Sequence, residues 1–258
     1  MSDITGYQSG DVNDSGKVNW RGDQATAPVG QSIYKTSSVP LAELGARVVV
    51  GDRVFRYALA GGAIGAGDVA QGVVDSRILV TAGGTDPAGG YIFTWYAATS
   101  QVADYWAEGT IMAQSGTAAN LGYAYRVKSH ALIPTTTNGA LTLYDPLVKA
   151  NNVADKWSIF TNPYKNVTEC TAGTAPAVGV APILVTSGDY FWAQTWGPAA
   201  VKSVAGAAGE AAFASATGQV TKVETTSAAA DLLFSVGQFL QPVATASQYA
   251  LVFLTIAP

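Results

Sequence analysis

Gly45–Val74 reads GARVVVGDRVFRYALAGGAIGAGDVAQGVV, and its pattern decides the fold class. The run Val48, Val49, Val50 meets Gly51-Asp52, and Val54, Phe55 and Tyr57 follow at once. Two β-rich runs joined by a two-residue Gly-Asp step predict a tight hairpin, because glycine takes the positive φ that a primed turn demands. Gly61, Gly62, Gly65 and Gly67 then punctuate a short apolar segment that ends in Asp68-Val69-Ala70-Gln71. Glycine at this density disfavours helix and favours tight turns and close backbone approach. No side chains in the stretch are grouped for bond-making chemistry. It reads as architecture.

Working outward, Ser76–Thr81 reads as a strand, and the loop GGTDPAGG follows it. Tyr91, Phe93 and Trp95 alternate and so share one face of a strand, with Tyr96, Tyr105 and Trp106 close behind. Such a group builds a sugar-stacking platform or, more commonly, a sheet core or subunit interface. Leu121–Ile133 alternates again, Asn138-Gly139 supplies a hairpin signal, and Ala140–Tyr144 returns as the partner strand. Asp145–Asp155 predicts a short helix, with Asp145 capping and Pro146 in the first turn. Ile183–Thr186, Tyr190–Thr195, Val201–Val204, Gln219–Thr225, Gly237–Pro242 and Tyr249–Ile256 read as successive short strands. That spacing belongs to sandwiches and barrels. The expectation is an all-β protein with helix confined to short pieces. ALAGGAIGAGDVAQG and KSVAGAAGEAAFASATG share a layout of strand, glycine turn and small-residue strand, which suggests two arms of one pseudo-symmetric barrel ahead of the alternative, glycine-rich turn chemistry recurring independently.

Residues 1–40 are polar, glycine-rich and poor in apolar side chains, too poor to offset their own ordering entropy. They predict an extended N-terminal arm that docks on a neighbour through Trp20, Ile33 and Tyr34, the interface candidates. Within the arm, Asp11, Asn13, Ser15 and Gly16 fit the first half of a calcium loop and resemble a dockerin loop, with Asn19 at a further ligand position. The closing twelfth position is Gly22, and Asp23 comes one residue late, so a solvated turn is the preferred reading.

Composition narrows the function classes. Charged residues make up 12% of the chain, against ~25% in ordinary globular domains, and 48% are apolar. Extended contact with neighbours explains such a surface, since interface cores are depleted in Lys, Glu and Asp. The net charge of −4 and the lack of basic runs argue against a nucleic-acid surface. The N-terminus lacks the pattern of a secretory leader, and no window reaches the roughly 18 apolar residues of a membrane span. A single cysteine, Cys170, and a single histidine, His130, exclude a disulfide and a cysteine- or histidine-rich metal site. Asp104 and Glu108, in ADYWAEG, are the best-placed carboxylate pair for glycosidase work, but turn carboxylates are far commoner than catalytic ones. The sequence predicts no enzyme, no cofactor and no metal.

RVFRYALAGGAIGAGDVAQ resembles the opening β-unit of decoration (cement) proteins from tailed-bacteriophage capsids. GDYFWAQTWGPAAVKSVAGAAGEAAFAS and the ending QYALVFLTI resemble their closing half. The resemblance implies a β-barrel or sandwich body from residues 41–75 plus 185–258, with 76–184 as an inserted β-rich lobe. It implies a homotrimer that binds the major capsid protein on the outer surface of an icosahedral virion, after synthesis in the host cytoplasm. The competing reading is a carbohydrate-binding host-recognition protein of a phage tail or fibre, which rests on the aromatic group Tyr91–Trp106.

Overall fold

The computed structural model describes residues 31–73, 80–116, 121–153, 155–171, 175–222, 234–243 and 247–257, with the backbone of 11–12 and 18–19. Two compact units result, Met1–Val73 with Tyr164–Pro258, and Val74–Pro163. The described residues form strands and turns with no helix, so the fold is all-β.

In the first unit, β1 (Asp11–Val12) pairs antiparallel with β2 (Val18–Asn19). The intervening 13–17, with most of the calcium-loop candidate, lie outside the described residues, as does Trp20. β3 (Arg47–Val50) and β4 (Arg53–Leu59) form the hairpin predicted at Gly51-Asp52: Val50 faces Arg53, and Gly51 takes φ +65°. β5 (Val69–Gln71) follows the glycine-rich turn.

The second unit holds β6 (Val80–Thr81), β7 (Ile92–Ala97), β8 (Thr110–Ser115), β9 (Ala124–His130), β10 (Thr137–Leu143) and β11 (Lys156–Phe160). They pair antiparallel in the order β6-β11-β8-β9-β10-β7. The two ends meet where Ala82 bridges Trp95 and Gly83 N–H donates to the Thr94 carbonyl at 2.8 Å. The sheet thus curls around a core of Phe93, Trp95, Trp106, Ile111, Val127, Leu141 and Trp157.

Two local expectations fail here for physical reasons. Asn138-Gly139 is not the hairpin turn but lies within β10, opposite Tyr96 and Trp95. A Cβ at Gly139 would sit 2.4 Å from Ile133 Cγ1, so glycine serves close approach, and Asn138 Nδ2 donates to the Gly83 carbonyl at 2.7 Å. Asp145–Asp155 is not a helix either. Its backbone groups are spent across the unit: Leu147 exchanges hydrogen bonds with Gly89 and Gly90, Val148 N–H donates to Tyr125 Oη, and Asn151 N–H donates to the Asp86 carbonyl. Leu147 and Asn151 are both buried.

The chain then returns to the first unit as β12 (Thr168–Glu169), β13 (Ala177–Val180), β14 (Tyr190–Ala205), β15 (Ala211–Ala214), β16 (Val220–Thr221), β17 (Ser235–Phe239) and β18 (Gln248–Thr255). β12 and β13 flank β5 on either side, and Val167, Val178 and Ala181 pack with Ala58, Ile64 and Phe191. Residues 164–184 therefore belong to this unit, and the inserted one ends at Pro163 rather than at 184. β14 replaces two expected strands, 190–195 and 201–204. Its first half pairs with β4 and its second with β18, across a register shift between Gln194 and Trp196. Trp196-Gly197-Pro198 would ordinarily break a strand. Gly197 takes φ +84°, and buried Gln194 donates to the carbonyls of Trp196 and Pro198 at 3.1 and 2.8 Å, so the strand bends and continues.

Pairing runs β14-β16-β15-β17-β18 and back to β14, a closed five-stranded barrel with one parallel contact, β14–β16. Val201, Val220, Val236, Phe239, Val252 and Leu254 fill it. The two glycine-punctuated repeats are not matching arms of this barrel. KSVAGAAGEAAFASATG supplies its wall, whereas ALAGGAIGAGDVAQG joins β4 to β5, which lie outside the ring.

Candidate binding surface

Alternation places Ala199, Val201, Ala250, Val252 and Leu254 inside the barrel and sends their neighbours out. On β14 and β18 the outward set is mostly apolar too. Ala200 lies opposite Leu251 and Pro198 opposite Phe253, and Leu240, just past the end of β17, donates its N–H to the Leu251 carbonyl, while β17 itself sends the polar Ser235 and Gln238 outward. Tyr249 is 53% exposed, Leu240 45% and Leu251 40%, with Val204 further along β14. Among the described residues Lys202 is the one charge on this face, and its Nζ turns to Asp68 Oδ2 at 3.6 Å. A solvated sheet face normally alternates apolar-in with polar-out. QYALVFLTI carried that signal, since it has no polar alternation between Tyr249 and Leu254, but it reads equally as a fully buried strand.

Of the three expected anchors, Trp20 lies outside the described residues. Ile33 is turned inward, against the cluster of Val48, Phe55, Tyr57 and Trp192. Tyr34 stays 55% exposed, its Oη accepting from Arg53 Nη1 at 3.0 Å. Residues 31–41 thus dock on their own unit rather than reaching outward. Ser37 bridges Tyr190, Gln31 Nε2 donates to the Tyr190 carbonyl, and Tyr57 Oη donates to Gln31 Oε1 at 2.7 Å while accepting from Leu41 N–H.

That clamp has a pH signature. Burial pushes the Tyr57 hydroxyl above its ordinary 10.0, with the Leu41 hydrogen bond pulling the other way, and burial raises Tyr164 likewise. Tyrosines of the unfolded chain therefore ionise first, and above pH 10.0 the unfolded state holds fewer protons than the folded one. Stability from these groups is intact below pH 10.0 and is lost as pH rises through the folded values. Thermal melts followed by tyrosinate absorbance should show the midpoint falling above that pH, and Tyr57→Phe should flatten the fall. A midpoint that is level or rising there refutes the assignment.

The aromatic group divides. Phe93, Trp95 and Trp106 are buried in the second unit's core and Tyr105 packs against it, while Tyr91 and Tyr96 are exposed. Asp104 and Glu108 hold turns, at φ +57° and +63°. Asp104 Oδ1 accepts from His130 N–H at 2.9 Å, and Glu108 binds Arg126 and the Tyr144 hydroxyl. His130 is buried, with Nε2 accepting from Trp106 N–H at 3.1 Å and Nδ1 facing the Ala131 carbonyl at 2.7 Å. The carboxylates tie loops together and the histidine is a satisfied core residue. Cys170 is buried in the barrel core. Among the described residues no group of acidic, histidine or cysteine side chains is placed to hold a metal ion.

One polar cluster escaped the sequence reading, because its members are far apart in the chain. Asp68, just before β5, meets Lys202 of β14, and Glu169 of β12 lies within electrostatic reach of both. Burial pushes the Asp68 carboxyl above the usual carboxylate range, opposed by Lys202. Glu169 is raised by burial and then by the Asp68 charge.

No protein-family model matches this chain, and neither does any curated protein or solved structure.

Proposed function

We propose that this chain is a structural virion protein, a homotrimer that binds the outer surface of an icosahedral phage capsid through the major capsid protein and stabilises the shell by bridging capsomers. The observation that carries this reading is the apolar strip of β14 and β18, from Leu251 to Ala200 with Leu240 beside it, on which Lys202 is the one charge among the described residues. Such a face is unfavourable in water and is covered in a self-assembling or shell-bound protein. Many simultaneous contacts then give tight attachment from individually modest ones. The competing carbohydrate reading is left with Tyr91 and Tyr96 as stacking surfaces, since Phe93, Trp95 and Trp106 have no exposed ring face.

Sedimentation at micromolar concentration should give a trimer, and the protein should bind mature capsids stripped of decoration. Leu251→Glu should weaken assembly or capsid binding at least about tenfold, the scale of a well-placed interface side chain, without altering the far-ultraviolet circular dichroism. A monomeric wild type that also leaves capsids undecorated overturns the reading.

A further inference from the structure

Asp68 and Lys202 meet in a way that an ion pair alone leaves poorly satisfied. The Asp68 side chain is 3% exposed, one oxygen lies 3.6 Å from Lys202 Nζ, and the other, Oδ1, is buried without a hydrogen-bond partner. A buried pair offsets its desolvation only when its remaining lone pairs are bonded. The backbone holds both groups in place. Lys202 N–H donates to the Gly67 carbonyl at 2.9 Å, and Tyr249 Oη donates to the Ala66 carbonyl at 3.0 Å. A Cβ at Gly65 would fall 2.0 Å from Asp68 Oδ2, so only glycine leaves room for the carboxyl in this position. Glu169 is paired directly with Ala70, which places its side chain on the face of the strand that Asp68 also uses, as a diagonal neighbour.

We propose that Lys202 and Asp68 condense to an intramolecular isopeptide bond, with the Glu169 carboxyl as the proton carrier. Lys202 gives a proton to Glu169 and becomes a free amine. Its Nζ attacks Cγ of Asp68, and the Nζ–Cγ bond forms. The proton taken by Glu169 is passed to the Asp68 carboxylate, whose neutral acid form is the one attacked; the Cγ–O bond to that protonated oxygen breaks, and the oxygen takes the second ammonium proton and leaves as water. Glu169 ends in its starting state. No oxidant or reductant is consumed, and the product is one amide and one water. Burial favours the reaction twice. It holds the Asp68 carboxyl toward its protonated, electrophilic form, and the amide removes a carboxylate charge from a buried position, while Lys202 is 31% exposed. Fixed proximity supplies the rest of the drive, as it does for any intramolecular acyl transfer. The link ties the segment before β5 covalently to β14, independently of how the protein binds a capsid.

Intact-mass spectrometry of the full chain, with tandem sequencing of a tryptic digest, tests this directly. The wild type is expected to be lighter than its sequence by one water, to give a branched peptide joining Asp68 to Lys202, and to resist trypsin after Lys202. Lys202→Arg and Asp68→Ala should each return to the full sequence mass. Glu169→Ala should keep its β-sheet circular dichroism and also show the full mass. A wild type at full mass, or a water loss mapped to any other residue, overturns the proposal whatever the variants do. A link that persists in Glu169→Ala removes Glu169 from the reaction.

Discussion

Gly237→Ala is expected to open the five-stranded barrel. A Cβ at this position would lie 1.9 Å from the carbonyl oxygen of Phe253 and 3.0 Å from Leu254 Cα. These are backbone atoms of β18, and Gly237 is paired with Leu254 on one side and Ala212 on the other. No rotamer change relieves the clash. The strands must separate, and because the barrel is a closed ring the break is transmitted around it. The expected loss is about 3 kcal/mol or more, a large part of a domain's total stability. Gly62→Ala is the control, since a Cβ there meets only Thr168 Cγ2 at 3.6 Å, and its cost should stay below about 1 kcal/mol. Urea denaturation compares the two. Equal midpoints for Gly237→Ala and wild type would remove the close approach from the account.

Trp157→Ala should be nearly as damaging to the second unit. Trp157 is fully buried on β11, with its ring 4.7 Å from that of Phe93 and 6.2 Å from that of Tyr125. Truncation leaves a cavity among aromatic groups held by an antiparallel sheet, and costs about 3–5 kcal/mol. Trp157→Phe should cost much less, because the indole Nε1–H has no acceptor in the core and its removal relieves an unsatisfied donor. Near-ultraviolet circular dichroism and the urea midpoint report both variants. A shift below about 1 kcal/mol for Trp157→Ala would show that the core is not packed as described.

The local chemistry of the chain settled a good part of the fold on its own. The β3–β4 hairpin follows from Val48–Val50, Gly51-Asp52 and Val54–Tyr57, because a two-residue turn with positive φ needs nothing beyond its neighbours. The all-β class follows from strand-length apolar runs broken by glycine. Elsewhere local signals pointed the wrong way, and each time a distant contact prevailed. Asn138-Gly139 became strand because Ile133 needed the space above Gly139. Asp145–Asp155 gave up helix because Gly89, Gly90, Tyr125 and Asp86 offered its backbone other partners. Trp196-Gly197-Pro198 was carried through as one strand by the side chain of Gln194.

The candidate sites were less legible than the fold. Trp20, Ile33 and Tyr34 are the large apolar residues of a polar segment, yet burial depends on what lies opposite. Ile33 met Val48, Phe55, Tyr57 and Trp192 of its own unit. The apolar face of the barrel is invisible until β14 and β18 are laid side by side, since one strand's pattern cannot tell a buried second face from an exposed one. Asp68, Glu169 and Lys202 belong to three separate strand regions and meet only through strand pairing. The sequence by itself determined the class of fold and its first turn, because propensity and turn geometry act over a few residues. Which side chains face one another, and so where a partner or a reaction finds its site, was decided by tertiary pairing, whose register is set by contacts between residues remote in the chain.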